Sequence, residues 1–261
     1  MNKKETDMTI LMMAFDSYND VWDGFMHCKE KYWPDCRYPM VIVTCEETNV
    51  PQGIDQVITT GSGLEWTQRL HKALEQIDSR FILLMLEDLY IDRKVNSGRI
   101  AQCISLMKEH NIGHLRLMPD IKYQRDYEQN DKYGEYTKGH AYRISTHPAI
   151  WKKEYLYSLT EKAMDAWNFE YLVSFESNKY PEKCLTCKDK VISFTNTIWR
   201  QKWTREGVAL CKQEGLTIDF TKRKKHSVWS NLKTDINALI YHIVGADRVT
   251  KLIIKQRKKK L

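Results

Sequence analysis

Phe81-Ile82-Leu83-Leu84-Met85-Leu86-Glu87-Asp88 constrains the fold more than any other stretch of the chain. Six consecutive apolar residues are too continuous for a strand with one wet face. The spacing therefore predicts a strand buried on both sides, as in sheets that carry helices on both faces. Such a strand would deliver its two terminal carboxylates to the carboxyl edge of the sheet, where open α/β sheets bind ligands. Paired hard-oxygen ligands there suit Mg²⁺ or Mn²⁺ bridging phosphates. Read alone, the pair serves equally well as solvated acids at a strand end or as a helix N-cap.

The surrounding pattern agrees with a sheet and crossover helices. Met8–Phe15, Met40–Cys45 and Gln56–Thr60 are the other early strand candidates. Ser62-Gly63-Leu64-Glu65 offers a capping box, with Trp66, Leu70, Ala73, Leu74 and Ile77 following at helical spacing. A second helix is expected from about Ser97 to His110, leading into a strand at Leu115–Met118. Pro119 to His140 is polar and tyrosine-rich and reads as a long loop, of a length that is usually functional or partly disordered. Beyond it the pattern predicts a strand at Ala141–Ser145, helices at Trp151–Leu159 and Asp165–Phe175, and a strand at Val191–Phe194.

Charge divides the 261 residues unevenly. Between Lys222 and Leu261 twelve basic residues face two acids, so with a total of +7 the body up to residue 221 carries a net −3. Any attraction to polyanions belongs to the tail, and a nucleic-acid partner is not expected, because a binder spreads its basic residues over a folded face. In the tail, Val228, Leu232, Ile236, Leu239, Ile240 and Ile243 form an apolar helical stripe that ends among lysines. This is the pattern of a peripheral anchor on an anionic membrane surface. No stretch reaches the ~20 apolar residues of a bilayer span. Seven cysteines, an odd number, and Glu5 and Asp7 ahead of the first apolar run point to reduced thiols and a cytoplasmic protein. Cys184-Leu185-Thr186-Cys187 lacks the second ligand pair of a zinc site and is expected to hold ordinary thiols in a loop.

Several segments together resemble a known family. They are Trp66 to Ile77, Phe81 to Tyr90 with its Leu86-Glu87-Asp88 end, Leu115-Arg116-Leu117, Ile150 to Leu156, and Ala166-Trp167-Asn168-Phe169-Glu170. The pattern is similar to bacterial GT-A-type glycosyltransferases of capsular or lipopolysaccharide assembly, over roughly Met8 to Asp219. The resemblance implies a Rossmann-type mixed α/β sheet flanked by helices over residues 1–221, with a donor half to about 118 and an acceptor half from about 119. The basic helical tail, 222–261, follows. It also implies a nucleotide-sugar donor and a divalent metal, Mn²⁺ or Mg²⁺, at Asp88 and Glu87. Metal-dependent members present Asp-x-Asp, whereas here the first acid is displaced to Glu87.

On the same resemblance Asp16, Ser17 and Tyr18 would hold the nucleoside, with Glu46, Glu47 and Gly61-Ser62-Gly63 as weaker donor contacts and Asp92 as a supplementary acid. Glu170 would be the general base toward a saccharide or lipid-linked saccharide acceptor, with Asp165 next in line, and Trp167 and Phe169 would offer sugar-packing surfaces. From the residues alone, 165–175 could equally be an amphipathic helix with buried aromatics and exposed acids. A metal-independent enzyme using Arg116, Arg143 or Arg200 against the diphosphate is the rival within enzymes. From another class, the rivals are a non-catalytic nucleotide-sugar-binding protein and a membrane-surface or nucleic-acid-binding protein acting through its tail; the tail leads one to expect the enzyme itself at the inner face of the cytoplasmic membrane.

Overall fold

The computed structural model of the protein describes residues 7–227. Two units divide the chain, Met1–Asn196 and Thr197–Leu261. In the first, β1 (Met8–Met13), β2 (Met40–Thr44), β3 (Gln56–Thr59) and β4 (Phe81–Leu86) run parallel in the order β3-β2-β1-β4. Met8 lies opposite Phe81 and Met13 opposite Leu86, while Ile10 pairs with Met40. All of β1 and β2 is buried, which is why their sequences are unbroken apolar runs rather than alternating ones. Crossovers are made by α1 (Asn19–Tyr32) and α2 (Trp66–Leu74).

After β4 the chain forms a short strand β5 (Leu89–Ile91) and then α3 (Ser97–Glu109), capped by the Asn96 side chain. It re-enters the sheet as β6 (Ile112–Arg116). β7 (Arg125–Asp126), β8 (Tyr133–Tyr136), β9 (Ala149–Lys152) and β10 (Lys183–Cys187) complete a nine-stranded mixed sheet among the described residues, in the order β3-β2-β1-β4-β9-β6-β10-β8-β7. β9 is antiparallel to both β4 and β6. On one face Leu11, Met13, Val41, Val43, Ile82 and Leu84 pack with Trp66 and Leu70 of α2, with Tyr155 and Leu156 of α4 (Lys153–Leu159), and with Phe169. Mixed α/β architecture with helices against a large sheet is therefore the fold.

Local expectations are corrected at several places. The helix at 66 is capped by Glu65 with Gln68, one turn later than Ser62, because Gly61 and Gly63 both take φ of +84° and turn the chain first. Pro119–His140 is not one loop: Tyr133–Tyr136 is a wholly buried strand. Ala141–Ser145 is irregular, since it wraps the buried Arg143, whose guanidinium donates to the carbonyls of Tyr136, Ser177 and Glu182. The strand comes later, at Ala149–Lys152, where a helix had been expected to begin at Trp151. The two cysteines of Cys184–Cys187 sit in buried β10 rather than a loop. Three residues apart on a strand they point to opposite faces, Cys184 toward the Tyr155 hydroxyl (3.7 Å) and Cys187 toward the Cys103 sulfur (3.6 Å), so they cannot share one ion. β11 (Phe194–Asn196) falls just after the expected 191–194 strand and pairs with β5.

In the second unit β12 (Ile198–Trp199) and β13 (Lys202–Trp203) form a hairpin whose turn residues, Arg200 and Gln201, both have positive φ, the type I′ geometry. It is followed by α5 (Arg205–Gln213), capped by Thr204. The tail stripe from Val228 onward lies outside the described residues, and no described helix is long and apolar enough to cross a membrane.

Candidate functional site

Strand register gathers the chemistry-bearing residues along one edge. Asp16 follows β1, Cys45 and Glu46 follow β2, Glu87 and Asp88 follow β4, and Asp120 follows β6. Because β9 is antiparallel, with Ala149 opposite both Leu84 and Arg116, the residues before it, Ser145 to Pro148, arrive at the same carboxyl edge. This is where open α/β sheets take ligands.

The β1–β4 end of this edge is built around Arg69, a residue the sequence pattern did not single out. Its fully buried guanidinium donates from Nη2 to the carbonyls of Ala14 (2.5 Å) and Val43 (3.1 Å) and from Nε to Thr60 Oγ1 (3.1 Å). It also lies 4.5 Å from the Phe15 ring centre. Arg69 thereby ties the ends of β1, β2 and β3 together. Glu87 is buried beside it and accepts from the Phe15 amide (3.1 Å). Burial first, and the neighbouring Asp88 charge second, push the Glu87 carboxyl up to about 8. Asp88 is half-buried.

Asp16 spends both oxygens on backbone: Oδ1 accepts from Cys45 N (2.8 Å), and Oδ2 from Glu46 N (2.8 Å) and Glu47 N (3.1 Å). Burial would raise its pKa, but these three amides outweigh it and hold the carboxyl below its ordinary value. Such a group stabilises the fold fully above its unfolded pKa, and that contribution is lost as the pH falls through the folded one. The difference in thermal midpoint between the wild type and Asp16→Ala is therefore expected to shrink as the pH is lowered from about 5 to about 2. A gap that stays constant across melts in that range would remove the carboxylate from this role. In the same turn Ser17 is exposed and Tyr18 half-buried.

A cleft of about 390 Å³ opens beside this hub, lined by Phe15, Gly63, Glu65, Trp66, Asp165 and Trp167 among others. Thr67 fixes its far wall, donating to the Lys162 carbonyl (2.7 Å) and accepting from Met164 N (2.8 Å). Trp167 is 56% exposed, whereas Phe169 is fully buried against Trp66 and Trp151, so only the first of the two expected sugar-packing rings faces out. Asp165 is the N-cap of its helix, accepting from Asn168 N (2.7 Å) and Asn168 Nδ2 (2.8 Å). That helix, Ala166–Asn168, runs into a π-helical turn, Phe169–Val173, that carries Glu170, a distortion frequent at functional sites.

Glu170 reaches the residues before β9. Its Oε1 accepts from Thr146 N (2.6 Å), Thr146 Oγ1 (2.9 Å) and Ser145 Oγ (3.0 Å), and Ser145 Oγ accepts from His147 N (3.1 Å). The His147 ring meets Asp120, and Asp120 meets the buried Arg116 (2.9 Å). Neither Asp120 nor His147 was visible as a motif. They are 27 positions apart, and the β6–β9 register brings them together.

Among the described residues no group of three or more His, Cys, Asp or Glu side chains is arranged to hold a metal. The hard-oxygen pair fits a divalent cation in part: Asp88 can supply a carboxylate, while Glu87 Oε1 is already engaged by Phe15 N. Asp92 is bound to Thr195 Oγ1 (2.8 Å), on the side of the β5–β11 ribbon. Of the arginines considered for a metal-free site, Arg143 is consumed by carbonyls and Arg116 by Asp120 and the Tyr142 carbonyl. Arg200 belongs to the hairpin of the second unit.

No protein-family model and no curated protein matches the sequence. Solved structures do resemble it at low identity. S. aureus TarS residues 1–349, in complex with UDP, is 12% identical with a TM-score of 0.48, over 72% of this chain and 59% of that one. The mannosyltransferase PcManGT from Pyrobaculum calidifontis, in complex with GDP-Man and Mn²⁺, is 14% identical with a TM-score of 0.47, over 74% of this chain and 58% of that one. A cytidylyltransferase from Leptospira borgpetersenii is 13% identical with a TM-score of 0.43, over 85% of this chain and 98% of that one. The chain thus spans less than two thirds of the length of the first two.

Proposed function

We propose that the protein is a glycosyltransferase, moving a sugar from a nucleotide-sugar donor to a hydroxyl of a saccharide or lipid-linked saccharide acceptor in surface-polysaccharide assembly. The observation that carries this reading is the convergence on one sheet edge of Glu87–Asp88 and, on the neighbouring strand, of the Ser145–His147 segment with Glu170. Asp88, with Glu87 beside it, would hold Mn²⁺ or Mg²⁺ against the diphosphate, where the metal would neutralise charge on the leaving group. Phe15 and Trp167 supply exposed flat apolar surface for a base or a sugar ring. Glu170 and Asp165 stand on the acceptor side, Glu170 keeping Oε2 outside the three bonds made to Oε1.

Nucleotidyl transfer fits less well. It would need a glycine-rich or basic loop to cradle a triphosphate, and Ala14-Phe15-Asp16-Ser17-Tyr18 after β1 is neither. The deciding experiment is a thermal-shift and calorimetry panel of UDP, GDP, UDP-GlcNAc and GDP-mannose, with and without Mn²⁺. A cognate ligand at 100 times its Kd is expected to stabilise by ~2.7 kcal/mol, raising the midpoint by roughly 5–10 °C. If no nucleotide binds under any metal condition, the donor site is lost and the reading with it.

A further inference from the structure

We propose that His147 is the catalytic base of this site and that Glu170 is a positioning residue that fixes the turn carrying it, an inference that rests on the glycosyl-transfer reading above. The side chain of His147 is 40% exposed at the carboxyl edge, two residues before β9, the strand next to β4, after which Asp88 follows. Its Nδ1 meets Asp120 Oδ2, while Asp120 Oδ1 accepts from Arg116 Nη1 (2.9 Å). Burial would raise the pKa of Asp120, but His147 and Arg116 outweigh it and hold the carboxyl well below its ordinary range. An ionised carboxylate can only accept, so Nδ1 carries a proton, and it is in the neutral imidazole that Nε2 presents the lone pair a base needs. Nε2 has no partner among the described residues.

Among the described residues the ring has two contacts and its backbone one. Asp120 holds one nitrogen, Phe194 of β11 meets the ring edge-on at 5.0 Å, and the backbone amide of His147 donates to Ser145 Oγ. The titratable and charged groups that face it are Asp120 after β6, Arg116 on β6, and Glu170 through Ser145. Glu170 is placed for a different job, because three donors from Ser145 and Thr146 converge on its Oε1. A carboxylate that organises the turn and an imidazole projecting from that turn divide orientation from proton transfer.

In the step itself the acceptor oxygen forms a bond to the anomeric carbon as its proton passes to His147 Nε2. The bond from that carbon to the diphosphate oxygen breaks, and its electron pair leaves on the nucleoside diphosphate. Asp120 offsets the charge of the imidazolium, which then returns its proton to solvent.

The test uses the full chain, the tightest-binding nucleotide sugar of the panel above, and water as acceptor, following release of nucleoside diphosphate. His147→Gln is expected to lower the rate by ~10² to 10³-fold with donor affinity within about 2-fold, and to remove the acidic limb of the pH–rate profile. Added imidazole should partly restore His147→Ala, which a purely structural loss would not permit. Glu170→Gln retains an amide oxygen able to accept the same three bonds, so it should stay within about 10-fold of the wild type and keep the acidic limb. Retention of activity by His147→Gln, or loss of the acidic limb in Glu170→Gln, overturns the assignment. So does a wild type that binds donor yet never releases nucleoside diphosphate. A wild type that binds no donor at all removes the functional reading instead, so the two failures are told apart.

Discussion

Arg69→Ala is expected to destabilise the protein by about 4 kcal/mol and to lower its thermal midpoint by roughly 8–16 °C. The estimate follows from what the guanidinium holds. It satisfies two strand-end carbonyls, Ala14 and Val43, and the Thr60 hydroxyl, all of them inside the protein. The Ala14 carbonyl, left without this donor, costs about 1–3 kcal/mol, while the Val43 carbonyl keeps Ala14 N and Thr60 Oγ1 its bond to the Thr44 carbonyl, and the cavity left by the side chain adds the rest. Arg69→Met refills much of the volume but none of the bonds, so it should recover only the cavity part. Removing the charge also takes away a group that favours the ionised form of buried Glu87. Calorimetric unfolding of the three proteins at one pH measures this directly. A midpoint within about 3 °C of the wild type for Arg69→Ala would mean that water reaches those carbonyls and that Arg69 is not the clamp of the edge.

Arg69 also marks what the sequence could have disclosed. Trp66, Leu70 and Ala73 define the apolar face of α2, and position 69 falls on that same face by helical spacing. An arginine placed there has to find buried acceptors, which the carbonyls at the ends of β1 and β2 offer. The parallel strands β1, β2 and β4 were legible to within a residue or two because burial on both faces forces a continuous apolar run. β8 was not, because Tyr133-Gly134-Glu135-Tyr136 is buried through pairing rather than through hydrophobicity. Glu135 meets Arg125 at 3.0 Å, and a side chain at Gly134 would strike the Tyr123 ring. Asp120 and His147 could not be read as a pair at all, since their proximity is a property of the β9 insertion between β4 and β6.

The carboxylates after β4 were legible as a pair but not as unequal partners. Glu87 is turned inward, 5% exposed and bonded to the Phe15 amide, whereas Asp88 is half-buried. If the pair serves a cation, Asp88 is the residue that meets it. Asp88→Ala is therefore expected to lower the Mn²⁺-dependent part of nucleoside diphosphate affinity by about 10²-fold, or ~2.7 kcal/mol, and to leave metal-free binding unchanged. The fold should survive, because β4 ends at Leu86 and its register with β1 and β9 involves no residue beyond it. Glu87→Gln, whose amide oxygen can still accept from Phe15 N, should cost less than a tenth as much affinity. Titrations of the three proteins with the diphosphate that binds best, run with Mn²⁺ and with a chelator, separate the outcomes. Equal Mn²⁺ dependence in Asp88→Ala and wild type would take the cation away from this strand end. Equal binding by the wild type with and without Mn²⁺ would leave the edge to hold the diphosphate through protein groups alone. The convergence of β4 and β9 would then matter for where the acceptor is activated, and no longer for where a metal sits.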